Sequence, residues 1–199
     1  MSGHPALDFC NTRAGWDTAA PKEYLLSYRH AVLWTREAGL LSRVASVRLI
    51  ALAAQAPGPA QHVLLELLAL REAAYRVALG SRSPAEYAVV DAHARAARAA
   101  TVLRPAAKDS SRLGAWVLAE DRVETPLLAV AGQVEQFLCS PLSGVVGVCA
   151  GPGCGWLFAD PHRRRRWCEM AVCGNRAKAR RYAERLAGRH AERLALARG

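Results

Sequence analysis

Through most of the first 140 residues, hydrophobic positions recur every three or four, a spacing that predicts helices rather than strands. The opening Ala6 to Asn11 is different. Leu7 and Phe9 alternate with Asp8, which predicts a short extended segment. From Pro21 the pattern turns helical through Tyr24, Tyr28 and Leu33, with an end expected near Gly39, beside Leu40 and Leu41. A second helix is expected from Val44 to Gln55, stopping at Pro57-Gly58-Pro59. A third, Gln61 to Leu79, places Leu64, Leu67, Leu68, Ala74 and Tyr75 at helical intervals and ends at Gly80. Ser83, Pro84 and Glu86 read as an N-cap, a first-turn proline and a first-turn carboxylate, opening a helix to Ala100. Thr101 to Arg104 and Leu113 to Leu118, separated by a polar run at Lys108 to Ser111, are expected to pair as a hairpin. An apolar helix from Pro126 to Cys139 follows, and Ser140 to Gly144 reads as a linker.

The last 51 residues, from Cys149, change character. Cys149, Cys154, Cys168 and Cys173 stand as CxxxxC, 13 residues and CxxxxC. Four thiolates satisfy tetrahedral Zn²⁺ and leave no open position, so the spacing predicts one structural zinc. Glycines at 151, 153 and 155 let the chain turn so that two sulfurs converge on one ion. They do not make a phosphate loop, because a Walker Lys-Ser/Thr is absent. Trp156, Phe158 and Trp167 are expected to form a small cluster beneath the metal, with His162 facing solvent or a phosphate. After Cys173, Asn175 reads as an N-cap and Arg176 to Ala197 as one helix. Ala179, Tyr182, Ala183, Leu186, His190 and Leu194 form a stripe expected to pack, leaving Arg176, Lys178, Arg180, Arg181, Arg185, Arg189 and Arg193 on the other faces.

The fold class that results is mainly α with a small β-hairpin. Residues 1–140 form a helical domain, and residues 141–199 form a small four-cysteine zinc-finger module with a long basic helix.

Charge sharpens this picture. The chain of 199 residues carries a formal +10, yet 12 Lys and Arg face only 4 Asp and Glu from Cys149 onward, whereas the 148 residues before it carry +2. A zinc bound by four thiolates contributes −2, which leaves a cationic segment of about +6. The run Arg163-Arg164-Arg165-Arg166 inside the zinc loop is hard to account for without an anionic partner. The expected partner is double-stranded DNA, with Arg163, Arg164, Arg165, Arg166 and Lys178 mainly on phosphates. Arg176, Arg180 and Arg181 are the candidates for the major groove, with Arg185 a further DNA contact. A solvated surface helix is the bland alternative.

The first residues lack a basic start and an apolar run, so no signal peptide is expected. Leu127 to Val148 is too interrupted to span a membrane, which predicts a cytoplasmic protein in which Cys10 and Cys139 are core residues. HExxH, GxSxG, Walker and GxGxxG patterns are absent, and Asp8, Asp17, His30, His62 and His93 are scattered, so no enzyme is expected.

Cys149-x4-Cys154-Gly155-Trp156-x-Phe158-x-Asp160, followed by Arg166-Trp167-Cys168-x-Met170-x-x-Cys173-Gly174-Asn175-Arg176-x-Lys178, resembles the CGNR zinc-finger family. Ala6 to Thr12 resembles the opening of the ABATE domain that usually precedes it. The two resemblances imply a bacterial, stress-related transcription regulator with a zinc-stabilised DNA-binding C-terminus and a ligand-sensing N-terminal domain. The family's loop before the tryptophan often mixes Ser and Asn among its arginines, and here four arginines stand in a row. Asn11, Thr12, Arg71 and Trp116 are the candidates for a small-molecule effector pocket. Each has a structural alternative: Asn11 and Thr12 cap a turn, Arg71 meets a carboxylate, and Trp116 fills the core. A homodimer and a zinc-stabilised protein-interaction module remain open readings.

Overall fold

The computed structural model describes residues 2–108 and 110–196, with side chains as far as residue 190. The chain opens not on an extended segment but on a helix, α1 (Pro5–Cys10). His4 sits in the extended N-cap position, and its Nδ1 accepts from the Ala6 amide at 3.1 Å. Pro5 then supplies a preset first helical φ. Six residues are too few to separate a period of 2 from one of 3.6, and Ala6, Leu7, Phe9 and Cys10 are all buried.

β1 (Arg13–Ala14) pairs antiparallel with β2 (Lys22–Glu23), so the helix expected from Pro21 starts late. The cause is Glu23, whose carboxylate accepts from the Tyr24 and Leu25 amides at 2.9 and 2.8 Å and holds a turn there. α2 (Tyr28–Glu37) begins after Ser27, its N-cap. α3 (Arg43–Gln55) follows. α4 (Pro57–Ala78) then includes Pro57 and Pro59 in its first turn, where a missing N–H costs no intrahelical bond. The Pro-Gly-Pro run therefore starts a helix rather than separating two.

α5 (Pro84–Ala99), the antiparallel hairpin β3 (Thr101–Pro105) and β4 (Gly114–Leu118), and α6 (Thr125–Leu138) lie close to their expected bounds. Ser83 precedes α5 without a side-chain cap bond. The expected linker is a 3-10 turn, Pro141–Val145, which leads into β5 (Val146–Val148). β5 pairs antiparallel with β6 (Leu157–Ala159). A π turn, Met170–Gly174, runs into α7 (Asn175–Leu196). The expected helix end at Ala197 and the side chains of Arg193 and Leu194 lie outside what is described.

α4 is the axis of the N-terminal part and packs against α1, α2, α3, α5 and α6. Its Val63, Leu64, Leu67 and Leu70 are buried, each contributing about 1.5–3 kcal/mol. Leu157 of β6, fully buried, belongs to this same core. The hairpin that carries the zinc loop is thus seated on the helical part. Cys10 is buried as expected, but Cys139 follows the last turn of α6 and is exposed. None of the described helices is long and apolar enough to cross a membrane.

Candidate metal centre and nucleic-acid interface

The zinc loop is closed by its own hairpin. The Cys149 amide donates to the Trp156 carbonyl at 2.8 Å and the Cys154 amide to Gly151 at 3.0 Å, with Gly153 and Gly155 at φ of 67° and 69°. A bond from the Ala150 amide to the Arg166 carbonyl at 2.9 Å fastens this knuckle to the second half of the loop. The π turn delivers Cys173.

The four Sγ atoms lie within 4.8 Å of one another, with Cys154 to Cys168 at 3.8 Å and Cys168 to Cys173 at 3.6 Å. A tetrahedron with Zn–S near 2.3 Å has edges of about 3.8 Å. Cys149, Cys154, Cys168 and Cys173 form a site for one structural zinc. A Cβ on Gly151 would press the Cys173 and Cys149 sulfurs at 3.1 and 3.3 Å, so this position needs glycine.

Burial pushes the Cys154 thiol up to about 12 and raises Cys168 as well. Burial also acts on Cys149, but the backbone N–H groups of Cys168 and Gly151 outweigh it and draw its pKa below the ordinary value. Zinc binding displaces these thiol protons, so affinity falls as pH falls. Phe158 is buried with the cysteines, and Trp156 and Trp167 pack beside them, as the sequence predicts.

Asp160 organises the arginine loop. Its carbonyl accepts from the Arg163 amide at 3.0 Å and its carboxylate from the Arg165 amide at 2.7 Å, which turns the chain through a left-handed Arg163, φ 51°. Burial works against ionisation of Asp160, but the amides of Arg164 and Arg165 hold its pKa below the carboxylate range. The four arginines divide. Arg165 donates to the Cys168 carbonyl and lies 4.5 Å over the Phe158 ring, serving the fold of the metal loop. Arg166 lies 5.6 Å over Trp167. Arg163 and Arg164 are exposed, as is His162.

The basic helix differs from expectation in two ways. Asn175 is not an N-cap: it has helical φ and ψ, and its Nδ2 donates to the Ala171 carbonyl at 3.1 Å, because the π turn has already begun the helix. The apolar stripe does not pack either. Ala177 is buried, whereas Ala179, Tyr182, Ala183, Leu186 and His190 are exposed along with Arg176, Lys178, Arg180, Arg181, Arg185 and Arg189. Helical periodicity identifies a face but not whether anything covers it. The Arg181 Nε reaches back to the Ala177 carbonyl at 3.4 Å.

Residues 146–186 match the CGNR zinc finger, and residues 3–141 match the ABATE domain, described as "Putative stress-induced transcription regulator". The chain belongs to the ABATE family. No curated protein matches it.

Within the ABATE domain the four effector candidates do not share a cavity. Asn11 brackets Leu157, its Nδ2 donating to the carbonyl at 2.9 Å and its Oδ1 accepting from the amide at 2.7 Å, a strand-like pairing with the zinc hairpin. Thr12 donates to the Phe9 carbonyl at 2.6 Å and accepts from Arg71 at 3.0 Å. Arg71 is 1% exposed and pairs with both oxygens of Glu23. Trp116, 72% exposed, lies instead over an open cleft between α5, α6 and the β3–β4 hairpin.

A second group, not singled out in the sequence, clamps the knuckle. Trp16 stacks on Tyr75 at 3.6 Å, the Tyr75 hydroxyl donates to the Gly155 carbonyl at 2.8 Å, and the Gly15 amide donates to the Cys154 carbonyl at 3.0 Å. A lone Trp and a Tyr on a core helix carry no pattern that would reveal this. The clamp gives a contrast between two glycines. Gly155→Ala is expected to cost about 2–3 kcal/mol, through the left-handed conformation and a Cβ only 2.9 Å from that of Trp16. Gly153→Ala meets Thr18 Cγ2 at a comfortable 3.5 Å and should cost only about 1 kcal/mol. Urea unfolding of both variants measures the difference.

Proposed function

We propose that this ABATE protein is a cytoplasmic, non-enzymatic transcription regulator that binds duplex DNA through its zinc module, under control of a small molecule held by the ABATE domain. The observation that carries the reading is the uncovered basic surface. Arg163, Arg164, Arg166, Arg176, Lys178 and Arg180 make no ion pair among the described residues. Unpaired guanidinium groups on a rigid metal-held scaffold suit phosphate contact and the bidentate reading of guanine. In this reading Arg165 supports the loop and contributes its charge at short range, while Arg163 and Arg164 reach phosphates. Arg176, Arg180, Arg181 and Arg185 follow one another along α7 and face the groove.

Fluorescence anisotropy against a promoter duplex and a scrambled duplex, across a salt series, tests it. For about five neutralised phosphates, log K should fall against log salt with a slope near −4.5. Arg180→Ala should reduce that slope by about 0.9 if Arg180 holds a phosphate, or relax sequence preference if it reads a base. A slope near zero would contradict DNA binding. Exposed Tyr182 and Leu186 favour a second reading, in which α7 meets another protein or a second copy of this chain. An even, palindromic footprint would support a homodimer on DNA.

A further inference from the structure

We infer that the cleft between the ABATE domain and the zinc module is the effector site, and that it takes a small organic cation, an amine or a quaternary ammonium. This deepens the effector half of the function proposed above and rests on it. The cleft has a volume of about 580 Å³, in the range of small-molecule sites. Its walls include three aromatic rings, Tyr24, Trp34 and Trp156, and three carboxylates, Asp8, Glu37 and Glu169. The lining contains no Lys or Arg, in a chain that has 27 of them.

The rings are held in place. Trp156 donates its indole N–H to the Arg13 carbonyl at 3.0 Å, and Trp34 lies 5.6 Å from Phe9 at a tilt of 47°. Lys22, outside the lining, sits 5.0 Å over Tyr24, so one face of that ring already attracts a cation. Asp8 accepts from the Ser2 amide at 3.1 Å, neither Asp8 nor Glu169 makes an ion pair among the described residues, and Glu37 pairs only with the adjacent Arg36. Cys168, a zinc ligand, touches the same cleft and adds to its anionic field once metallated. An organic anion would meet the unpaired carboxylates of Asp8 and Glu169, and a neutral apolar molecule would desolvate them without pairing them. A cation with an apolar body satisfies both the rings and the charges.

The position supplies a means of control. Asp8, Tyr24, Trp34 and Glu37 come from the ABATE side, and Trp156 and Glu169 from the zinc side, so an occupant contacts both. It favours whichever relative placement gives it both sets of contacts, and it biases DNA binding by that difference alone.

The test is isothermal titration of full-length, zinc-loaded protein, without DNA and at constant ionic strength. The probes are tetramethylammonium, choline, putrescine and the neutral isostere of choline in which a tert-butyl group replaces the trimethylammonium. At least one cation is expected to bind one to one, with the neutral isostere at least about tenfold weaker. Tyr24→Leu and Glu169→Gln, at exposed or partly exposed side chains, should each weaken binding about threefold to tenfold with unchanged melting temperatures. Equal binding of the isostere, absence of binding by all three cations, or affinities unmoved by both substitutions would overturn the inference. DNA anisotropy without any added cation reports separately on the zinc module, so retained DNA binding with no cation binding removes this inference and leaves the DNA reading standing.

Discussion

Cys173→Ser is expected to abolish stoichiometric zinc binding and to release α7 from the rest of the protein, while α1 to α6 keep their fold. Structural zinc in small modules supplies about 10–16 kcal/mol of apparent free energy at neutral pH, far more than the apolar contacts of this loop can replace. Phe158 is fully buried there, but its cover is made largely of the cysteines themselves with Trp156 and Trp167, so loss of the ion removes the packing with the ligation. α7 has little else to hold it. Beyond Ala177 its described side chains are exposed, and its main tertiary contacts are with the π turn that carries Cys173. A single helix about 33 Å long with an uncovered apolar stripe is only marginally helical in isolation. Zinc content by native mass spectrometry should fall from one to near zero. Far-UV circular dichroism should lose roughly the contribution of α7, and the near-UV signal of the N-terminal tryptophans should persist. Loss of the entire fold would instead mean that Leu157 and the Asn11 pairing make the hairpin an obligate part of the N-terminal core.

The zinc centre was legible because metal ligation is written in residue type and spacing. Four cysteines at fixed intervals, separated by glycines that permit the required turns, match the needs of one tetrahedral ion. Helices α3, α5 and α6 and the β3–β4 hairpin were legible because periodicity over ten or more residues, with proline or glycine at the ends, is a local signal. The failures share a cause. α1 depends on one imidazole accepting an amide bond, the delay of α2 depends on Glu23 capturing two amides, and the start of α4 at Pro57 depends on two prolines falling where their missing N–H is harmless. Each is decided by one or two backbone N–H groups, which a pattern averaged over several residues does not register. The stripe on α7 fails differently. It is a correct amphipathic pattern whose partner is absent from the described chain, and no property of the helix alone distinguishes a covered face from a free one.

The site residues follow the same division. Arg71 stands out in the sequence as a charged group directly after the apolar run Leu67 to Leu70, and such a residue suggests a ligand as readily as an internal partner. By pairing β2 with β1, the fold brings Glu23 to Arg71, a residue 48 positions further along the chain. The same pairing sets Trp16 between that ion pair and the zinc knuckle, with the Arg71 guanidinium 5.9 Å and the Arg13 guanidinium 4.8 Å from the indole ring. A buried charge in this chain therefore supports the surface against which the zinc module is seated.

Glu23→Gln should expose that dependence. Arg71 is 1% exposed, and its Nε already lacks a partner, so removing the carboxylate leaves a buried cation with only the Thr12 hydroxyl and the more distant Glu72 carboxylate, at 4.0 Å, to compensate it. Breaking a buried pair in this way costs about 3–5 kcal/mol, and the partial exposure of Glu23 brings the expected loss down to about 2–3 kcal/mol. Replacing both partners, Glu23→Gln with Arg71→Met, should recover part of the loss, since the desolvated charge goes with its partner. The pH dependence carries a definite sign. Burial acts to raise the Glu23 pKa, but the Arg71 hydrogen bonds and the Leu25 and Tyr24 amides outweigh it and hold the group below its ordinary 4.5. Its stabilisation is therefore complete above about pH 4.5 and is lost as pH falls through the lower folded value, because the unfolded chain takes up the proton first. Urea midpoints measured between neutral and acid pH should fall more steeply in the parent than in Glu23→Gln over that window. Parallel curves would show that Glu23 acts through its backbone turn rather than through its charge on Arg71.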